Sequence, residues 1–255
     1  MEMKLNEKVR TFWEKEPCGT GVALKEAIQK NSKEWFERIE ELRYQTEPFI
    51  HSIAQFTRSH GKRILEVGVG AGTDHLQWAR AGAECFGVDL TDAAIESTRE
   101  LLERNGLSSS LQRIDAESLP FPEDHFDLVY SWGVIHHSEN PKRIIREIRR
   151  VLKKNGTFVG MMYGRRSFTV FKLWLKYALF AGRPWRTFAD IVWNHVESIG
   201  TKAYTVHELR MLFSEFGHVD LQPTLTIYDT HHFPSWLSQF FPNRWGWFIA
   251  IRATK

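Results

Sequence analysis

The sequence predicts a three-layer α/β domain built on a mostly parallel sheet, and three observations predict it. From Arg63 onward, short β-rich runs alternate with amphipathic helical stretches. The first run leads directly into a glycine-rich loop, and acidic residues stand at the ends of the first three runs. The chain has 255 residues, 42% hydrophobic and 25% charged, which suits one substantial core with an elaborated cap.

Residues 1–56 come first and read as a helical N-terminal extension, with Trp35, Phe36, Ile39 and Leu42 at helical spacing and Pro48 in the first turn of a further helix. Residues 57–162 then carry the alternation: RILEVG, a helix from Thr73, ECFGVDL, a helix from Thr91 to about Arg104, and SLQRIDA. FDLVYSWG, a helix from Pro141 to about Leu152, and TFVGMMY after an Asn155-Gly156 turn complete it. Right-handed crossovers turn such a pattern into parallel strands. Between 163 and 204 the alternation stops in an aromatic, basic segment with Phe168, Phe171, Trp174, Trp185 and Trp193, which reads as an inserted cap. Residues 205–255 resume the pattern: Thr205 and Glu208 form a capping box for VHELRMLFSEF, Gly217 closes that helix, and VDLQPTLTIY and WFIAIRAT read as strands.

The sharpest motif is ILEVGVGAGT. Gly68, Gly70 and Gly72 let the backbone turn tightly and approach a ligand, Thr73 can cap the helix that follows, and the free N–H groups of a helix start favour a carboxylate or phosphate. A dinucleotide-binding loop reads G-x-G-x-x-G; here the third glycine comes one residue early and Glu66 ends the strand, which favours S-adenosylmethionine (SAM) over NAD. Asp89, followed by Leu90, ends the second run, where a carboxylate can accept from both hydroxyls of a ribose. Asp115 ends the third, placed to accept an adenine amino group beside the backbone N–H of Ala116.

On these pieces, together with DAESLPFPEDHFDLVYS and WGVIHHSENPKRIIREIRRVLKKNG, residues 62–162 resemble the class I SAM-dependent methyltransferases. They are most similar to the small-molecule branch that includes quinone-biosynthesis methyltransferases. The resemblance implies a Rossmann-like, seven-stranded sheet whose last strand is antiparallel and inserted beside the sixth. It also implies that Glu66, Gly68 and Gly70 line the methionine half of SAM, Asp89 the ribose, Asp115 and Ala116 the adenine, and Ser131, Trp132 and Gly133 the sulfonium end. The implied activity is in-line methyl transfer to a small acceptor, and the aromatic cap suggests an aromatic or apolar one. Outside this core no substrate-specific signature is present.

Methyl transfer from a sulfonium mainly needs alignment, and a general base is useful only for some acceptors, such as a hydroxyl. His136 and His137 are the nearest candidate bases, against a packing or helix-capping role; His195, Tyr228, Asp229, His231 and His232 are further candidates. In the extension, Phe12, Trp13, Arg43 and Tyr44 either fold over the cofactor, aromatic faces attracting the sulfonium, or simply staple the extension to the core; Tyr44 lies nearest the sheet domain. The rival readings are a nicotinamide-dependent oxidoreductase and a non-catalytic SAM-fold partner or regulatory protein.

Composition excludes several other classes. The net charge of +3 is spread along the chain rather than blocked into a tail, so nucleic acid is not an expected partner. Cys18 and Cys85 lack any disulfide or metal-ligand pattern, so no metal is expected and a reducing cytoplasm is the simplest location. The N-terminal residues show no secretory signal, and the apolar stretch from Ser167 to Phe180 would be a helix of roughly 21 Å, too short to span a bilayer. The apolar faces of that stretch need cover from core, substrate, partner or membrane surface. The acceptor and the oligomeric state are left open.

Overall fold

A computed structural model describes residues 3–17, 19–231, 233–238 and 240–255. Cys18 and His232 lie outside the described residues. The extension forms α1 (Leu5–Lys15), α2 (Gly21–Lys25), α3 (Lys33–Thr46) and α4 (Ile50–Ala54). The alternating core follows as β1 (Arg63–Val67), α5 (Thr73–Arg80), β2 (Glu84–Asp89), α6 (Asp92–Arg104), β3 (Ser110–Arg113), β4 (Phe126–Trp132), α7 (Pro141–Val151) and β5 (Leu152–Tyr163). The cap holds α8 (Phe168–Trp174), a π-turn (Leu175–Leu179) and α9 (Phe188–His195). The chain then ends with α10 (Val206–Leu212), β6 (His218–Thr224), α11 (Ile227–Thr230), α12 (Ser235–Ser238) and β7 (Phe248–Thr254).

The seven strands are ordered β3-β2-β1-β4-β5-β7-β6. Strands β1 to β5 pair in parallel, whereas β7 runs antiparallel to both neighbours, β5 and β6. This is the expected sheet, with the last strand inserted beside the sixth.

Two apolar layers flank the sheet. On one face, Trp78, Tyr130 and Val159 pack with Trp35, Phe36 and Ile39 of α3, so the extension is part of the core rather than an arm. The other face joins Leu65, Val129 and Phe158 to Ile144, Ile145 and Ile148 of α7 and to Leu209 and Phe213. Helix α7 starts where expected: Pro141 occupies its first turn and the Asn140 side chain accepts from Arg143 N.

The structure corrects four local expectations. Thr73 is the first helical residue of α5, and the N-cap is Gly72 at φ +86°, so no side chain caps the loop helix. Pro48 precedes α4 instead of entering its first turn. The expected strand VDLQPTLTIY stops at Thr224, because the Thr226 and Asp229 side chains form a capping box that starts α11. Similarly, α10 ends at Leu212, short of the full VHELRMLFSEF stretch. Among the described residues, no helix is long and apolar enough to cross a membrane.

Candidate active site

The C-terminal ends of the parallel strands open into one cavity of about 950 Å³, roofed by α1, α3 and the cap. Ligands in open α/β sheets bind at this edge, where strand order reverses. The order reverses between β1 and β4, directly under the glycine loop.

Gly68 is fixed by two constraints. Its φ is +83°, and a Cβ there would stand 2.2 Å from Val134 Cγ2. Gly68→Ala should therefore destabilise the fold by about 1–3 kcal/mol through overpacking and backbone strain, read as a lowered denaturation midpoint. A wild-type midpoint would mean that the loop tolerates a shift of Val134. Gly72, with a Cβ position 2.9 Å from Thr98 Oγ1, lets α5 pack against α6.

Asp89 ties the loop to the end of β2. One carboxylate oxygen accepts from Gly70 N (3.2 Å), the other from Thr91 N (2.9 Å) and Thr91 Oγ1 (2.8 Å). Burial raises its pKa, and the hydrogen bonds from Thr91, Gly70 and Leu90 oppose the rise. Asp115 stands two residues past β3, accepting from Glu117 N (3.0 Å) and from Asn6 Nδ2 (2.9 Å) of α1. Asn6 Oδ1 also accepts from Glu139 N (2.7 Å), and Glu14 accepts from Ala93 N (2.9 Å) at the start of α6. Helix α1 is thus stitched by polar contacts across the end of the cavity formed by the segments that follow β2, β3 and β4.

Glu66 is buried against His75, Oε2 to Nδ1 at 3.0 Å. The Ser109 hydroxyl donates to Cys85 O (2.8 Å), so His75 Nε2–H donates to Ser109 Oγ (2.9 Å) and Nδ1 is left to accept. Burial lowers the His75 pKa to about 4 and pushes Glu66 well up, with Asp74 adding to the rise. Both shifts favour the uncharged forms of the pair. The same burial raises the Cys85 thiol to about 12, which keeps it inert.

A second group of acids was not legible from motifs. Arg43 of α3 donates to Asp74 Oδ2 (2.6 Å) and to Glu47 Oε1 (2.9 Å). Tyr130 (2.8 Å) and Tyr44 (3.1 Å) complete the shell of Asp74, and Trp132 Nε1 donates to Glu47 Oε2 (2.7 Å). Burial alone would raise Asp74, but the Arg43 charge and these hydrogen bonds hold it below the usual range; at Glu47 burial prevails and the pKa rises.

Beyond Gly133 the cavity becomes aromatic, lined by Trp13, Tyr163, Leu173, Trp247 and Phe248. Tyr163 stacks on Trp247 with ring centroids 4.1 Å apart, and its hydroxyl meets both oxygens of Glu197 (3.0 and 2.9 Å). His137 Nε2 lies 3.2 Å from Glu197 Oε2. At Nδ1, His137 meets Ser198 Oγ (2.9 Å) and Thr201 Oγ1 (3.0 Å). The Thr201 hydroxyl donates to Ser198 O (2.6 Å) and so accepts from Nδ1–H in one tautomer; in the other, Ser198 Oγ donates to Nδ1 and Nε2–H donates to Glu197.

The cavity thus gathers Glu66, Gly68, Gly70, Asp89, Leu90, Asp115, Ala116, Trp132, Gly133 and His137. Four other sequence candidates stand behind its wall. Gly72 packs on α6, Ser131 Oγ donates to Val67 O, and the Tyr44 hydroxyl is turned toward Asp74. His136 is fully buried with its ring 3.9 Å from that of Tyr163. Of the remaining candidates, Phe12, Trp13, Arg43, His195 and Tyr228 reach the cavity. Asp229 is buried, capping α11 and accepting from Trp247 N, and exposed His231 bonds Ile227 O. Glu47 lies four residues after Arg43, a helix-pair spacing that could have drawn notice; Glu197 carries no such signal.

Comparison with known proteins agrees with this geometry. A methyltransferase-domain family profile matches residues 65–160. The uncharacterized methyltransferase YcgJ of Bacillus subtilis (strain 168) is 37% identical over 98 residues, covering 38% of this chain and 39% of the relative's length. A ubiquinone biosynthesis O-methyltransferase of Actinobacillus pleuropneumoniae is 32% identical over 101 residues, covering 38% of this chain and 43% of that protein. The crystal structure of the [4+2]-cyclase SpnF superposes with a TM-score of 0.57 at 18% identity, covering 82% of this chain and 80% of that one. That likeness concerns the fold alone, since one fold can host unrelated chemistry. Residues 65–160 thus match the class I SAM-dependent methyltransferases, and the chain spans about two fifths of the length of these two curated relatives.

Proposed function

We propose that the protein transfers the methyl group of SAM to a small aromatic or otherwise apolar acceptor held between the sheet edge and the cap. The observation that carries this reading is the two-part cavity. Strand-end acids and the glycine loop line one half, an aromatic chamber forms the other, and Gly133 lies between them. Its volume of about 950 Å³ is near the top of the range for small-molecule sites, enough for a cofactor and an acceptor. In this reading Asp89 takes the ribose, Asp115 and the Ala116 N–H the adenine, and Glu66 with the loop the methionine end. SAM supplies an electrophilic methyl group; the chain aligns it with the acceptor and excludes water.

His137 is the candidate base for a hydroxyl acceptor. In the tautomer with its proton on Nδ1, Nε2 can take the acceptor's proton and Glu197 stabilises the imidazolium that results. For such an acceptor, His137→Ala should lower kcat by about 10²–10⁴-fold while SAM affinity stays near wild type. An unchanged kcat would remove His137 from the mechanism. The test of the function itself is incubation with methyl-labelled SAM and fractionated cell metabolites, followed by identification of the labelled product. Label confined to protein or nucleic acid would overturn the small-molecule reading.

A further inference from the structure

We infer that the outer face of the cap docks on an anionic lipid surface. From Tyr163 to Tyr204 the chain holds seven Lys and Arg against two Asp and Glu, an excess of five positive charges in a protein whose net charge is only +3. No acid occurs between Glu147 and Asp190, so the cations of α8 and the turn after it have no local counter-charge in sequence.

The same segment leaves large apolar side chains in water. Phe180 is 80% and Trp185 75% exposed, with Phe171 and Leu179 beside them on the helix and its π-turn. The turn between Phe180 and Trp185 is exposed throughout and carries Arg183; Lys176 is exposed one turn earlier. Arg186 pairs with Asp190 and Arg165 with Glu208, whereas Lys176 and Arg183 have no acidic partner among the described residues.

Exposed Trp and Phe interleaved with unpaired Lys and Arg match the two chemical layers of a membrane interface. The rings reach the acyl boundary and the cations meet anionic headgroups. The apolar tip is too short to cross the bilayer, which makes this a surface contact. The inner side of the same helix reaches the chamber through Thr169 and Leu173, so the docking face backs directly on the cavity wall. The inference does not depend on methyl transfer.

Co-sedimentation of the full chain with lipid vesicles tests it. Phosphatidylcholine alone is compared with a roughly 7:3 mixture of phosphatidylcholine and phosphatidylglycerol, because each basic residue near an anionic surface adds to the attraction. Partitioning onto the anionic vesicles should be at least about tenfold stronger, and should weaken as added salt screens the charges. The double variant Phe180→Ser/Trp185→Ser and the double variant Lys176→Glu/Arg183→Glu should each lose most of that binding. All four positions are exposed, so their thermal melts should match wild type. Absence of wild-type binding to anionic vesicles, or equal binding by both double variants, would overturn the inference. So would a dimer seen by light scattering that the Phe180→Ser/Trp185→Ser variant dissolves without any vesicle binding.

Discussion

Asp89→Ala should weaken SAM binding by roughly ten- to a hundredfold, the loss expected when a ligand's hydrogen bonds to a charged group are removed. The carboxylate has two tasks in the structure. Toward the protein it accepts from Gly70 N and from both donors of Thr91, which holds the glycine loop against the end of β2. Toward the cavity it is the acid proposed to accept the ribose hydroxyls. Asp89→Asn separates these tasks: one amide oxygen can still accept from the loop or from Thr91, but the charge is gone. The asparagine variant should keep most of the thermal stability and lose most of the affinity. Calorimetric titration reads the affinity directly, and an Asp89→Ala dissociation constant within about twofold of wild type would show that the ribose lies elsewhere.

Arg43→Met should cost about 3–5 kcal/mol of folding stability, the typical result of removing one partner from a buried ion cluster. The side chain bridges Asp74 and Glu47, which are 6% and 8% exposed, so methionine would leave two acids buried without a cation. Tyr130, Tyr44 and Trp132 would still donate to them, but neutral donors do not replace the charge. Adding Asp74→Asn and Glu47→Gln to Arg43→Met removes the orphaned charges, and much of the lost stability should return. Denaturant unfolding of the single and triple variants measures both effects. A single variant within about 1 kcal/mol of wild type would mean that the acids are protonated or hydrated once Arg43 is gone.

Both predictions concern residues whose legibility in the sequence differs sharply. Asp89 was visible because its meaning is local: it ends a β-run at a fixed distance from a glycine loop. The parallel direction of the successive β-runs was visible for a similar reason, through right-handed crossovers, whereas the antiparallel last strand beside the sixth followed only from the family resemblance. Arg43 and Asp74 are 31 positions apart and meet only because α3 packs beside the loop helix. His137 and Glu197 lie 60 positions apart, and the carboxylate reaches the imidazole from the motif-poor cap. No spacing rule connects such pairs, because their contact is set by how whole helices settle on the sheet.

Local chemistry could also mislead where tertiary contacts took over. Tyr44 lies near the sheet domain and has the right ring for a sulfonium lid, yet its hydroxyl is spent on Asp74 and its ring lies 4.2 Å from that of His51. Trp13 of α1 is the aromatic residue of the extension whose ring meets His137, at 5.5 Å. The histidine pair divides likewise. His137 faces the chamber and His136 the packed interior, a distinction fixed by the short 3-10 turn that carries both.

Calorimetric titration of the purified full chain with SAM and, separately, with NAD tests the central claim most directly. The predicted result is saturable SAM binding at one site per chain, with no heat from NAD. Saturable NAD binding without SAM binding would contradict it.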